Sequence, residues 1–353
     1  MRPSDIFRSL VSIIPTRQSM LLLGAPGLGK SSVAFQAAAQ IYNGPTNATT
    51  VTGLPDENWF VVIRAMDKDP VDLKGLPFVK DGKTQWSEPD LIGLLRPEGG
   101  VICIEELPQA LPAVQCVLRE LLLDHRIGGH KIPDTWTVIA TGNRVEDKAG
   151  AGRLLSHVAS SVIVMTMEIS VEDWQGWAVR VGIKPDVRSF INFRPDLLHN
   201  FEPSRMVNAD PRGWESVSII SEHVPDDLLH QVCAGKVGDG PAAEYVGFRR
   251  IYTQLPDPRH MLDNAATCKI PTELAVVYAM VGSLTEAVRN NPKAKDMAGI
   301  VTISSRLSTE HGVLLFRDAM GISPAHRGMI VAAPGARKWL AANAEFLIPK
   351  GGA

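Results

Sequence analysis

The 353-residue sequence has no apolar run approaching the roughly 18 side chains that a membrane-spanning helix needs, so no transmembrane segment is expected. Only four cysteines are present, Cys103, Cys116, Cys233 and Cys268, with neither a CxxC pair nor metal-ligand spacing. That argues against a disulfide scaffold and against a zinc site. Cys103 lies inside an apolar run and reads as a small core residue. A surplus of one charge is also missing, because 36 Lys and Arg face 38 Asp and Glu for a net −2. A sequence-independent nucleic-acid binder normally shows a basic surplus, since neutralising phosphates dominates its affinity. The 25 prolines are scattered, with no low-complexity tract and no internal repeat, which excludes disordered and fibrous classes. At the N-terminus, Asp5, Arg8, Arg17 and Gln18 interrupt the apolar stretches, so a helix followed by a buried strand is a better reading than a signal peptide. The sequon Asn47-Ala48-Thr49 reads as coincidental. A soluble, cytoplasmic, two-part protein is expected.

What is present is an alternation of short apolar strands and helices. Residues 5–14 have roughly helical spacing. Ser19–Leu23, Trp59–Ile63, Val101–Ile104, Thr137–Ala140 and Ser161–Met165 read as five strands buried on both faces. Between the third and fourth, Val114, Val117, Leu118, Leu121 and Leu122 fall on one face of a helix. This alternation implies a parallel sheet covered on both faces. Residues 75–100 break the rhythm and look like an inserted hairpin or loop. Beyond residue 170 the segments have helical spacing, so the expected division is an α/β part at 1–168 and a mostly helical part at 169–353.

The first strand runs into Gly24-Ala25-Pro26-Gly27-Leu28-Gly29-Lys30-Ser31, followed by Ser32 and an alanine-rich helix. This is G-x-x-x-x-G-K-[ST]. Its glycines let successive N–H groups turn inward around a phosphate, Lys30 supplies a point charge and the Ser31 hydroxyl ligates Mg²⁺. The helix N-terminus adds a favourable dipole. A nucleotide site is therefore expected, with ATP and Mg²⁺ as its occupants. The third strand ends in Glu105-Glu106. The first carboxylate is suited to holding the metal, although Asp is usual there, and the second to polarising an attacking water. Asn143, at the end of the fourth strand, fits a side chain that reaches the γ-phosphate.

With these three elements in order, the chain resembles the AAA+ ATPases, specifically the MoxR-like, dynein-related branch. Asp69-Pro70-Val71-Asp72-Leu73-Lys74-Gly75-Leu76-Pro77 looks like that branch's DxxDLxGxP segment. Pro112-Ala113-Val114-Gln115, the Leu123–Pro133 hairpin region and Asn143-Arg144 follow its pattern, and Asp210–Ser218 is similar to its sensor-2 stretch. The resemblance implies a P-loop NTPase αβα core with a five-stranded parallel sheet, an α-helical lid and a helical C-terminal extension. It also implies that Arg212 reaches the bound phosphates. An arginine finger usually precedes the fifth strand in this family, but Ser161 stands there, leaving Arg144, Arg153 or none.

The expected activity is Mg-dependent ATP hydrolysis by a homo-oligomeric ring, a hexamer by resemblance. The implied partner is a protein client that the ring remodels, or a separately encoded von Willebrand factor A domain protein; no membrane is involved. A nucleic-acid motor or loader stays open as the alternative, disfavoured by the balanced charge, as does a nucleotide-gated scaffold without turnover. Trp174 and Trp177 read as packing residues, and His130 as the tip of a hairpin or a solvated turn. Residues 226–353 carry no motif with assignable chemistry.

Overall fold

The computed structural model describes residues 1–42, 58–147 and 154–347. The sequon at Asn47 and the finger candidate Arg153 lie outside these. The chain divides into two compact units, residues 1–181 with 199–216, and residues 182–198 with 217–353. The chain therefore enters each unit more than once, where the sequence suggested one boundary near 168.

In the first unit, five strands form one parallel sheet: β1 (Met20–Leu23), β2 (Phe60–Arg64), β3 (Gly100–Glu105), β4 (Trp136–Gly142) and β5 (Ile163–Thr166), in the order β2-β3-β4-β1-β5. Side chains alternate between the two faces, and both faces are covered. On one side Met20, Leu22, Val101, Cys103 and Ile139 meet Ile6 and Leu10 of α1 (Pro3–Ile13) and Phe35 and Ala38 of α2 (Lys30–Tyr42). On the other, Leu21, Ile102, Ile104 and Val138 meet Val114, Val117, Leu118, Leu121 and Leu122 of α3 (Pro112–Asp124). The spacing of α3's apolar residues thus points all five at the sheet. Trp136 is fully buried, and its indole N–H donates to the Arg96 carbonyl at 2.7 Å.

Two expectations need correction. The fifth strand is not buried on both faces: β5 forms an edge of the sheet, and Ile163 and Val164 are 39% and 46% exposed. His130 is not a hairpin tip, because Arg126–Ile127 pairs with His130–Lys131 and the turn is Gly128-Gly129. Those glycines both have positive φ, which favours them over a histidine at the tip. The interruption at 75–100 does contain a hairpin, Pro77–Lys80 paired antiparallel with Lys83–Trp86.

The second unit is helical. One core of this unit packs Leu274–Arg289, Ala294–Arg306 and Thr309–Gly321 around Leu284, Met297, Ile300, Leu315 and Phe316. Phe316 stacks on Trp339 with centroids 4.3 Å apart. Arg188 and Arg289 both donate to the Glu286 carboxylate at 2.7 Å.

Truncating Trp136 removes a fully buried indole and leaves the Arg96 carbonyl without its donor. Trp136→Ala is expected to cost about 3–5 kcal/mol. A denaturant titration showing less than about 1 kcal/mol would contradict this account of the core.

Candidate functional site

All five strands are parallel, so their C-terminal ends open on one side, and this is where β1, β3 and β4 deliver their functional residues. β1 ends at Leu23 and the chain turns through Gly24–Gly29 into α2. Gly27 and Gly29 have φ of 76° and 84°, the left-handed region where a side chain is strained. A Cβ on Gly24 would come within 2.9 Å of the Met167 carbonyl oxygen, so that position too has no room for a larger residue.

The Lys30 ammonium is the centre of the site. It donates to the Gly24 and Ala25 carbonyls at 2.9 Å each and to Asn143 Oδ1 at 3.0 Å. Asn143 follows the last residue of β4, the strand next to β1, so sheet order alone brings the two residues together. Burial lowers the Lys30 pKa from 10.5 to about 8. The charge of Asp147 opposes that shift, while Arg212 and Arg144 reinforce it and Glu106 opposes it more weakly. A lysine held this way is a cation short of a counter-charge in a low-dielectric site, suited to an anionic ligand.

Glu105 ends β3 and Glu106 follows in the left-handed conformation, φ 59° and ψ 35°. A non-glycine residue there costs on the order of 1 kcal/mol or more. The turn is held from behind. Gln115 is buried, and its side-chain amide donates to the Ala110 carbonyl at 3.1 Å while its oxygen accepts the Leu155 N–H at 3.1 Å. Pro108 packs against Gly142 so tightly that a Cβ there would lie 2.3 Å from Pro108 Cδ. The second carboxylate and the end of β4 are thereby locked together.

A cleft of about 920 Å³ collects these groups. Pro26, Gly27, Leu28, Gly29, Lys30, Ser31, Ser32, Glu105, Glu106, Asn143 and Arg212 all line it, whereas Gly24 and Ala25 lie behind the loop and supply carbonyls to Lys30. The sequence-derived site residues therefore converge. Trp174 and Trp177, read as packing residues, also line the cleft, together with Phe7 and Arg180; their own ring centroids are 6.4 Å apart. Arg144 is committed within its own chain: it donates to both Asp147 oxygens at 2.9 and 3.1 Å and pairs with Glu146 at 3.0 Å. Ser161 donates its hydroxyl to the His157 carbonyl at 2.9 Å.

Arg64 was not foreseen. It ends β2 in register with Glu105, its Nε lies 3.8 Å from Glu105 Oε2, and it lines the same cleft. The only sequence signal is an arginine closing an apolar strand, too common to single out.

The donor set suits Mg²⁺ delivered with a nucleotide. Ser31 and Glu105 offer hard oxygen ligands in the cleft, and among the described residues no cluster of three or more His, Cys, Asp or Glu could hold a metal alone. Mg²⁺ is usually held by one or two protein oxygens plus substrate phosphates, and Ser31 and Glu105 could supply two such oxygens.

Residues 19–156 match the family model for the AAA domain of the dynein-related subfamily. No curated protein matches the sequence. Among solved structures, NtrX from Brucella abortus is 17% identical over 71% of this chain and 61% of that one, with a TM-score of 0.39. The chain thus spans under two thirds of that protein. A RuvB mutant from Thermotoga maritima is 14% identical, covering 81% of this chain and 76% of that chain, TM-score 0.31. Hsp104 with ATPγS and FITC casein is 14% identical, covering 74% and 44%, TM-score 0.36. Likenesses this distant carry no argument about activity. The architecture itself, an αβα core on a five-stranded parallel sheet followed by a helical region, is the fold class expected from the sequence, and the family match falls within that core.

A buried ammonium with a depressed pKa weakens the fold. Protonation of Lys30 is disfavoured in the folded state, so the cost is fully present below pH 8 and fades as pH rises towards 10.5. Lys30→Met is therefore expected to stabilise the ligand-free protein at pH 7, by up to about 3 kcal/mol, with the gain shrinking above pH 8. Denaturant midpoints at pH 7 and pH 10 check this; a destabilised variant at pH 7 would contradict it.

Proposed function

We propose that the chain is a Mg-dependent ATPase of the MoxR-like AAA+ type that assembles into a homo-oligomeric ring of six copies and remodels or activates a partner protein. The observation that carries the reading is the convergence of Lys30, Asn143, Glu105, Glu106 and Arg212 on the one cleft whose floor is the phosphate loop. The AAA-domain match over residues 19–156 supports it independently. Ring assembly, the protein client or von Willebrand factor A partner, and a cytoplasmic location rest on the family resemblance.

In this scheme the backbone N–H groups of Gly27–Lys30 and the N-terminus of α2 bind the β- and γ-phosphates of ATP. Lys30 contributes its charge there, and Asn143, hydrogen-bonded to it, orients the γ-phosphate side of the site. Ser31 and Glu105 would hold Mg²⁺, which when bound neutralises charge on the phosphates and favours departure of ADP. Glu106, held beside the loop by its left-handed backbone, accepts a hydrogen bond from the attacking water and draws off its proton. Arg212 adds positive charge opposite Lys30. Arg144 is not free to serve a neighbouring subunit while it remains bound to Asp147 and Glu146.

Steady-state hydrolysis of Mg-ATP by the wild type and by Glu106→Gln, across a tenfold range of protein concentration with light scattering, tests the proposal. Turnover per chain is expected to rise with assembly, and the variant to lose about 10²–10⁴-fold in kcat while still binding ATP. Assembly on ATP with background turnover in both proteins would favour a gated scaffold. Monomers without turnover would overturn the reading.

A further inference from the structure

Two titratable side chains that hydrolysis leaves unused grip the phosphate loop from one place in the fold. Residues 199–210 form a loop closed at its base, where Asn200 and Ala209 make an antiparallel bridge and the Asn200 N–H donates to the Ala209 carbonyl at 3.0 Å. The residues flanking that bridge are His199 and Asp210. The main chain of Pro26 acts on the half-buried His199 ring, favouring its protonated form against the effect of burial. Asp210 lies against the next residue: a Cβ built on Gly27 would fall 2.1 Å from Asp210 Oδ2 and 2.4 Å from its Cγ. Gly27 is therefore required twice, by its φ of 76° and by the carboxylate beside it.

Asp210 has a second attachment. Its Oδ1 accepts the Gly213 N–H at 2.6 Å, capping the first turn of the helix Pro211–Ile220, and its carbonyl accepts the Trp214 N–H at 3.1 Å. Arg212, which lines the cleft, lies between these two anchored residues. One side chain thus touches both the phosphate loop and the turn that carries Arg212. Burial pushes the Asp210 carboxyl up and the His199 imidazole down. The charged groups felt by this pair are Arg212 and each other, with Asp147 and Arg144 also acting on His199.

We propose that His199 and Asp210 form a clasp that fixes the crown of the phosphate loop, Pro26-Gly27, and couples its conformation to the turn bearing Arg212. Both are positioning residues: they act through the loop and through Arg212. The functional consequence rests on the nucleotide reading above, because what the clasp holds in shape is the phosphate cradle. Loosening it should raise the dissociation constant for ATP and ADP alike, since the loop binds phosphate before and after hydrolysis, and leave kcat at saturating ATP comparatively unchanged.

The test compares wild type, His199→Ala, Asp210→Ala and the conservative Asp210→Asn, whose carbonyl can still accept the Gly213 N–H. Hydrogen exchange of the Gly27–Lys30 amides is read without nucleotide, ADP affinity by calorimetry, and KM and kcat from hydrolysis. The alanine variants are expected to exchange about tenfold faster at those amides and to bind ADP about tenfold more weakly, equivalent to ~1.4 kcal/mol, with Asp210→Asn within about twofold of wild type. A cycle with Gly27→Ala guards against a variant that fails to fold. Gly27→Ala alone should lose binding, and adding Asp210→Gly should restore part of it by removing Oδ2, Cγ and Cβ, the atoms its methyl would strike. Unchanged exchange in the alanine variants, or a double variant no better than Gly27→Ala, would overturn the clasp. A wild type that binds no ADP would overturn the nucleotide reading and the clasp's role in it, while the exchange data would still decide whether the contact restrains the loop.

Discussion

The site is organised around an ammonium held away from water. Lys30 is tied to two carbonyls of its own loop and to Asn143, an arrangement that needs β1 and β4 side by side. The strand order β2-β3-β4-β1-β5 supplies that adjacency and places the β3 carboxylates one strand further on. Both faces of the sheet are sealed by helices, so the functional groups emerge only at the strands' C-terminal ends. The hydrophobic core and the chemistry are consequences of one topological choice: the apolar strand interiors fix the order, and the order fixes which polar ends meet.

Much of this was legible because it is written locally. The phosphate loop is eight consecutive residues, Glu105-Glu106 directly ends an apolar run, and the α3 face repeats at helical spacing. What escaped depends on residues far apart in sequence. Arg64 meets Glu105 only because β2 and β3 pair in register, and Gly142 is required only because Pro108 lies against it. Trp174 and Trp177 have the spacing of a packing face, and spacing cannot tell a core from the wall of a cleft. The burial of β5 was misjudged because an edge strand and a central strand share one apolar signature.

The family segment at 69–77 shows the converse, a recognisable motif whose residues are explained by local structure. The Asp72 carboxylate accepts the Asp69 N–H at 2.8 Å at the start of the helix Pro70–Lys74. Gly75 has φ 86° and would set a Cβ 2.1 Å from the Ser87 carbonyl oxygen. These residues start a helix, end it, and aim the chain into the hairpin at 77–86. In the helical unit the burden shifts from motifs to burial. Glu286 and Arg289 are three residues apart on one helix, a spacing the sequence shows, but Arg188 joins them from the helix Pro185–Phe193, and desolvation lowers its pKa even with Glu286 at hydrogen-bond distance.

The cleft also gathers the places where local rules are broken. An ammonium is buried, a glutamate adopts a left-handed backbone, and a carboxylate is pressed against a glycine of an anion-binding loop. Each is unfavourable in isolation, and each is over-determined by its surroundings: three acceptors for Lys30, Gln115 and the Pro108–Gly142 contact behind the Glu106 turn, and the cap on Gly213 for Asp210. A fold relaxed to its own optimum would neutralise that lysine and place a glycine at 106. Both departures are what the proposed role of the cleft, receiving an anionic ligand, would require of it.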